Sequence, residues 1–287
     1  MAQSLPSGSN VLLIGATGML GHAWHRLLLD RGYTVTAPSR RECDLCRPKL
    51  IRAIVTEGHS LVINCAAHSD VDVTENHAGL ADRINGKAVG VLAQRCAQLG
   101  TLLVHYSSDY VFNGQANAPY AANHPCDPVN AYGRSKLNGE HLLQSSSCQF
   151  LMVRTSWLYA PWGKNFVRTI ASLVRKCLPI RVVDDQLGRP TSAEHLARRT
   201  LRLVEQGAIG TWHVTDGGVC TWYEFACRIA QHIDQDCRVE ACTSDQFPRP
   251  ARRPAYSVLD ISQTEVAIGP MPDWQDTLTD VLNRLEP

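Results

Sequence analysis

The chain has 287 residues, 44% hydrophobic and 19% charged, and its 28 Lys and Arg against 27 Asp and Glu leave a net charge of +1. That balance carries no electrostatic footprint for nucleic acid or an anionic membrane, and the composition is globular, not disordered. The longest apolar runs, such as Leu12–Ile14 and Leu61–Ile63, fall far short of the ~20 residues of a membrane span. Met1–Asn10 is polar, without the basic stretch and apolar core of a secretion signal, so a cytoplasmic protein is expected. The 11 cysteines are odd in number and scattered, which fits reduced thiols better than a disulfide framework. Cys43 and Cys46 form a lone C-x-x-C with no second pair at zinc spacing, so no metal is expected.

Strands and helices alternate along the chain. Val11–Ile14 reads as a short buried strand, and His22–Arg31 as a helix that stops at Gly32. Tyr33–Ala37 is a strand, Pro48–Glu57 a helix with proline in its first turn, and Leu61–Ala67 an apolar strand suited to a sheet covered on both faces. Ala78–Leu99 is a helix, Thr101–Ser107 a strand, Gly133–Gln144 a helix and Phe150–Thr155 a strand. This repeated βα pattern predicts a doubly wound parallel sheet. Beyond Ser156 the pattern loosens. Asn165–Lys176, Ala193–Glu205, Trp222–His232 and Trp274–Leu285 read as helices, the third capped by Thr221; Ile180–Val183 and Trp212–Val214 read as strands. Pro248, Pro250 and Pro254 mark an extended connection. Residues 1–160 are expected to form a cofactor domain and 161–287 a smaller substrate lobe, with some of its segments returning to the first.

Between the first strand and helix lies Gly15-x-x-Gly18-x-x-Gly21, with Thr17, Met19 and Leu20 inside it. Glycines at this spacing allow a tight turn, backbone approach to a pyrophosphate and close helix–strand packing, so a dinucleotide is expected on the helix N-terminus. After the second strand the chain reads Pro38-Ser39-Arg40-Arg41-Glu42. An acid at the strand end favours NAD, whereas an arginine fork suits the 2′-phosphate of NADP. Arg40 and Arg41 therefore point to NADP, with NAD left open through Glu42; as surface charges they would mean nothing.

Tyr132 and Lys136 stand four apart at the start of a helix and share one face. Ser108 follows the strand Thr101–Ser107, at the sheet edge where active sites gather. Ser108 and Tyr132 can thus meet at one carbonyl oxygen. Tyrosine is a reluctant acid–base group near neutrality, and an ammonium beside it is expected to lower its pKa.

These stretches carry a resemblance. With Asn64–Ser69, Val71-Asp72, Ser107–Phe112, Tyr132–Glu140, Arg154–Tyr159, Asp185–Thr191 and Arg253-Pro254, the chain resembles the extended short-chain dehydrogenase/reductases, and within them the dTDP-4-dehydrorhamnose reductase family. The resemblance implies a Rossmann fold and an NADPH-dependent reduction of the C4 ketone of a nucleotide-linked 4-keto-6-deoxy sugar. It implies Tyr132 as proton donor, Ser108 as the hydroxyl on the carbonyl and Lys136 on the nicotinamide ribose. Asp44 and Leu45 would lie beside the adenine, Ala66, Ala67 and His68 along the cofactor, and Asn85, from the helix that supports the lysine, would also bind the cofactor. Ser69, Asp109, Trp157 and Arg253 would face the sugar nucleotide. Trp157 follows the strand that closes the cofactor domain, where an indole can stack on a deoxyhexose; a core position fits it too, as a surface position fits Arg253. Asp70 and Arg189 depart from the family pattern. Three other functions remain open: a non-catalytic, NADP-binding regulatory subunit, an epimerase or dehydratase on the same fold, and a reductase of a different carbonyl. Asp109 is followed by Tyr110, so the acid pair of a dehydratase is absent. The expected partner is a nucleotide sugar, with neither nucleic acid nor membrane, and a homodimer is left open.

Overall fold

A computed structural model describes residues 8–285. Six strands pair in parallel in the spatial order Gly210–His213, Phe150–Thr155, Leu102–Ser108, Leu61–Asn64, Asn10–Ile14, Thr34–Thr36. Side chains alternate across the pleat. Val11, Leu13, Ile63, Val104 and Val153 pack with Trp24 and Leu28 of the helix Met19–Asp30 and Leu196 and Leu201 of the helix Ala193–Glu205. Leu12, Ile14, Val62, Leu103 and Met152 face the other way, onto Ile51, Val89, Leu92 and Leu143. Each such buried aliphatic side chain contributes about 1.5–3 kcal/mol. Both faces are covered, as the doubly wound reading expected.

From its first strand the chain runs to Thr34–Thr36 on one side, then crosses to Leu61–Asn64 on the other. This is the topological switch point, and the crevice outside the strand ends there is the binding position of such sheets. A second core lies beyond it. Tyr159, Val167, Ile170, Phe225, Ile229, Leu278 and Val281 meet between the helices Phe166–Arg175, Trp222–Ile233 and Trp274–Leu282. Thr221 and Glu224 form a complete capping box on the second of these, with bonds of 3.1 and 2.8 Å. Between the lobe helices, the helix Ala193–Glu205 and the strand Gly210–His213 return to the central sheet.

The elements differ from expectation in telling places. The first helix begins at Met19, not His22, with Gly18 as its N-cap, so Gly21 lies in its first turn. The helix expected over 78–99 is broken: after Ala78–Ala81 comes a wider π-helical turn, Asp82–Lys87, before Ala88–Leu99. The helix carrying Tyr132 begins at Ala131, capped by Asn130, which accepts from Gly133 N at 2.8 Å. A short helix, Val71–Asn76, was not expected at all; Asp70 caps it by accepting from Val73 N. The strand Val239–Cys242, which pairs in parallel with the expected Ile180–Val183, and the helix Ser262–Ile268 form on either side of the proline cluster, where the sequence carries little periodicity.

Candidate active site

A cleft of about 800 Å³ opens along the switch point. One end is the glycine loop. Gly18 N donates to Gly15 O at 3.0 Å, closing a tight turn. A Cβ on Gly21 would stand 2.0 Å from Gly15 O, and one on Gly15 would stand 2.7 Å from Ala66 N. Only glycine lets the loop, the helix and the next strand's end approach this closely. Gly15, Thr17, Gly18, Met19 and Leu20 line the cleft on one side, and Ala66, Ala67, His68 and Ser69 on the other.

Past the second strand, Arg40, Asp44 and Leu45 line the cleft, but Arg41 does not. Glu42 is turned away: its carboxylate accepts from Ser39 N at 2.7 Å, so it is occupied by its own turn. Arg40 has reached the cleft and Glu42, the acid nearest it in the turn, has not, which suits a 2′-phosphate.

Asn85 does not line the cleft. From the π-helical turn its side chain accepts from His68 N at 2.8 Å and donates to His68 O at 2.9 Å and to Ser135 Oγ at 2.9 Å. Ser135 Oγ donates in turn to Tyr132 O at 2.7 Å. Asn85 therefore staples the cofactor-side loop to the first turn of the Tyr132 helix. The expected direct contact with cofactor is replaced by support from behind, because the wide turn points the amide at the loop's backbone.

The reactive groups stand at the strand end. Ser108, Asp109, Tyr132 and Lys136 all line the cleft. Ser108 Oγ donates to Asp109 Oδ1 at 2.8 Å and accepts from Tyr110 N at 3.1 Å. Burial pushes the Asp109 carboxyl up to about 7, against the hydrogen bonds that favour its charge. Burial, and then the Asp109 charge, push the Tyr132 phenol up to about 12, with the Ser108 hydroxyl opposing. Lys136 Nζ donates to Tyr106 O at 2.6 Å, and burial lowers its ammonium to about 8. The sequence reading had Lys136 lowering the Tyr132 pKa. Here the ammonium is engaged on the Tyr106 carbonyl, and the phenol's surroundings hold its proton on.

Three buried oxygens in the cleft wall lack a hydrogen-bond partner: Ser107 Oγ, Asp109 Oδ2 and Thr155 Oγ1. Such groups in a native fold mark where a ligand or water completes the bonding. Ser107 and Thr155 were not singled out from sequence, where a strand-end hydroxyl looks like any other. Trp222 was also missed, and it lines the cleft beside Trp157. The two rings are stacked, with centroids 3.7 Å apart.

Arg253 stands just behind the cleft wall, against Tyr110, and does not itself line the cleft. It pairs with Asp72, which also binds Arg249 at 2.7 Å, and these bonds, led by that from Arg253, hold the Asp72 carboxyl down at about 2. The charge expected to face a diphosphate is thus spent on a clasp between the short helix and the proline-flanked segment. Of the two departures from the family pattern, Asp70 is an N-cap outside the cleft lining, and Arg189 donates to Gly218 O at 3.0 Å within the lobe. Neither sets an unpaired charge against a ligand in the cleft.

Comparison with known proteins agrees with this geometry. The family profile described as RmlD substrate binding domain matches residues 9–286. The chain belongs to this family. A dTDP-4-dehydrorhamnose reductase from Burkholderia thailandensis is 37% identical over 92% of this chain and 95% of its own length. The spore coat polysaccharide biosynthesis protein SpsK of Bacillus subtilis is 35% identical over 96% of this chain and 97% of its own. Among solved structures, a dTDP-4-dehydrorhamnose reductase from Bacillus anthracis in complex with NADP superposes with a TM-score of 0.92 at 31% identity, over 96% of this chain and 99% of that one. UDP-glucose 4-epimerase from Thermus thermophilus, at 21% identity and a TM-score of 0.83, shares the fold.

Proposed function

We infer that this protein is an NADPH-dependent reductase of the C4 ketone of a nucleotide-linked 4-keto-6-deoxy sugar. The observation that carries the reading is the convergence of Ser108, Tyr132 and Lys136 on one cleft with the glycine loop, in a chain whose relatives of nearly equal length include dTDP-4-dehydrorhamnose reductases.

The residues fit the cofactor. The glycine loop offers backbone N–H groups at a helix N-terminus for a pyrophosphate. Arg40 would hold the 2′-phosphate, and Lys136, with two N–H bonds beyond the one to Tyr106 O, would hold the nicotinamide ribose. NADPH, when bound, supplies the hydride that adds to the ketone carbon. The protein's part is the proton. Tyr132, protonated across the neutral range, donates to the oxygen as negative charge develops on it. Ser108 has a single hydroxyl proton and gives it to Asp109. To hydrogen-bond the ketone oxygen it must turn, and Asp109 then takes a sugar hydroxyl or keeps a proton of its own. Ser108 positions and polarises, and Tyr132 delivers.

Residues 1–160 would hold the cofactor, and the smaller lobe, 161–287, would complete the sugar side with Trp222 beside Ser69, Asp109 and Trp157, apart from the segments that return to the sheet. NADPH, a nucleotide sugar and 11 free thiols support a cytoplasmic setting. A homodimer is the assembly we propose, tested by light scattering on the eluting protein.

The test of the reaction is loss of NADPH absorbance with dTDP-4-dehydrorhamnose. Tyr132→Phe should lower kcat by at least ~10²-fold with NADPH affinity nearly intact. Wild type that binds NADPH but turns over no 4-keto sugar nucleotide would favour a regulatory role instead, and full activity in Tyr132→Phe would remove that residue from the mechanism.

A further inference from the structure

Trp157 and Trp222 both line the cleft, and their planes lie 11° from parallel with centroids 3.7 Å apart. Centroids that close leave almost no lateral offset, so Trp222 covers one face of Trp157. The opposite face rests on Gly188. A Cβ there would meet Trp157 Cε2 at 2.4 Å, Cζ2 at 2.5 Å and Nε1 at 2.7 Å. Cε2 is bonded to both of the others and is recessed between them, so an approach at the rim would touch Nε1 or Cζ2 first. Because Cε2 is nearest, Gly188 sits over the ring plane. Protein therefore occupies both faces of Trp157, and the ring has only its rim to offer a ligand. That rim carries the positive side of the ring quadrupole, suited to oxygen and not to a stacked ring.

The backbone is arranged to keep it so. Trp157 has φ +47, a left-handed conformation rare for a bulky residue. It is pinned by Thr191 N donating to Trp157 O at 3.2 Å and by the neighbouring Ser156 Oγ donating to Arg189 O at 2.7 Å. Trp222 is the first residue of a helix whose start is fixed by the Thr221–Glu224 capping box, and Phe166 packs on it with centroids 4.6 Å apart.

We propose that Trp222 is a positioning residue: by closing one face of Trp157 against the Gly188 slot, it holds that indole edge-on to the cleft and so sets the fit of the sugar nucleotide. The proposal rests on the reductase reading and adds a residue to it. Trp222→Ala should raise KM for the sugar nucleotide about tenfold while kcat and NADPH affinity change less than about twofold. Trp222→Phe keeps a flat ring on Trp157 and should stay within about threefold of the wild-type KM. Gly188→Ala should raise KM like Trp222→Ala, because it drives Trp157 out of its slot while Trp222 is intact. The stacked indoles should also give an exciton couplet in circular dichroism, lost in Trp222→Ala and Gly188→Ala. An unchanged KM in Trp222→Ala together with a lowered melting temperature would make Trp222 a core residue and overturn the proposal. So would a Trp222→Phe protein as impaired as Trp222→Ala. Failure of the reductase reading itself shows in the wild type, failure of this proposal only in the variants.

Discussion

Replacing Asp109 with asparagine turns a site residue into a measurement of what the site costs the fold. The side chain is 2% exposed, one oxygen bonds Ser108 and the other has no partner. Burial moves the carboxyl from 3.8 to about 7. The sign follows from linkage. Between these values the unfolded chain has lost its proton and the folded one has kept it, so the folded state binds more protons and stability falls as pH rises through that window. At about 1.4 kcal/mol per unit, the penalty is roughly 2 kcal/mol near pH 5 and roughly 4 kcal/mol near pH 8. Asparagine has almost the same shape, accepts the same Ser108 bond and never ionises. Urea unfolding of the cofactor-free protein should therefore find Asp109→Asn more stable than wild type, by a margin that roughly doubles from about pH 5 to about pH 8. Turnover should fall in the same variant, the exchange of stability for activity expected of a site residue. A margin that does not change with pH, or an Asp109→Asn protein less stable near pH 8, would refute the assignment of a buried, reluctant carboxylate.

Arg40→Ala should weaken NADPH about tenfold and leave NADH unchanged, while Arg41→Ala should change neither by more than about twofold; equal effects of the two in titration would contradict the cleft geometry. Lys136 loses its charge above about 8, so NADPH dissociation constants measured against pH should rise through that value, not near the 10.5 of an exposed lysine, and a flat profile would argue against its role. Arg154 binds Glu140 through two bonds, of 2.9 and 2.6 Å, in the interior, and Arg154→Ala should cost about 3–5 kcal/mol in urea unfolding by leaving that carboxylate unpaired; a loss under ~1 kcal/mol would mean Glu140 is not a buried charge.

What could be read from the sequence is what local chemistry determines. Apolar runs separated by amphipathic helices gave the parallel sheet, and Ile180–Val183 and Ala193–Glu205 form with the expected ends. The glycine loop, the Tyr132–Lys136 spacing and the Thr221 cap are all decided within a few residues. What could not be read depends on distant partners. Nothing near Arg253 announces Asp72, which comes from the opposite end of the chain's topology. Asp70 read only as a departure from the family pattern, because its helix, Val71–Asn76, is too short to show a period. The Tyr132 pKa depends on which way Lys136 points, and that is set by a carbonyl in a neighbouring strand. Trp222 looked like the start of an ordinary amphipathic helix, and only packing brought it against Trp157.

The π-helical turn at Asp82–Lys87 makes the site depend on counting. Ala88 N reaches back to Arg83 O, five residues away, so the turn holds one residue more than an α-helix would. Deleting a single residue there would restore regular hydrogen bonding and rotate whatever precedes it by about 100° relative to the helix that follows. The helix would be more regular, yet the Asn85 amide would swing off the His68 backbone and off Ser135 together. Length variation is therefore closed to this segment, although only Ile84 of it lines the cleft. Among homologous chains, insertions and deletions between the third and fourth strands should avoid the stretch from residue 82 to residue 87, while substitutions on its outer face pass freely.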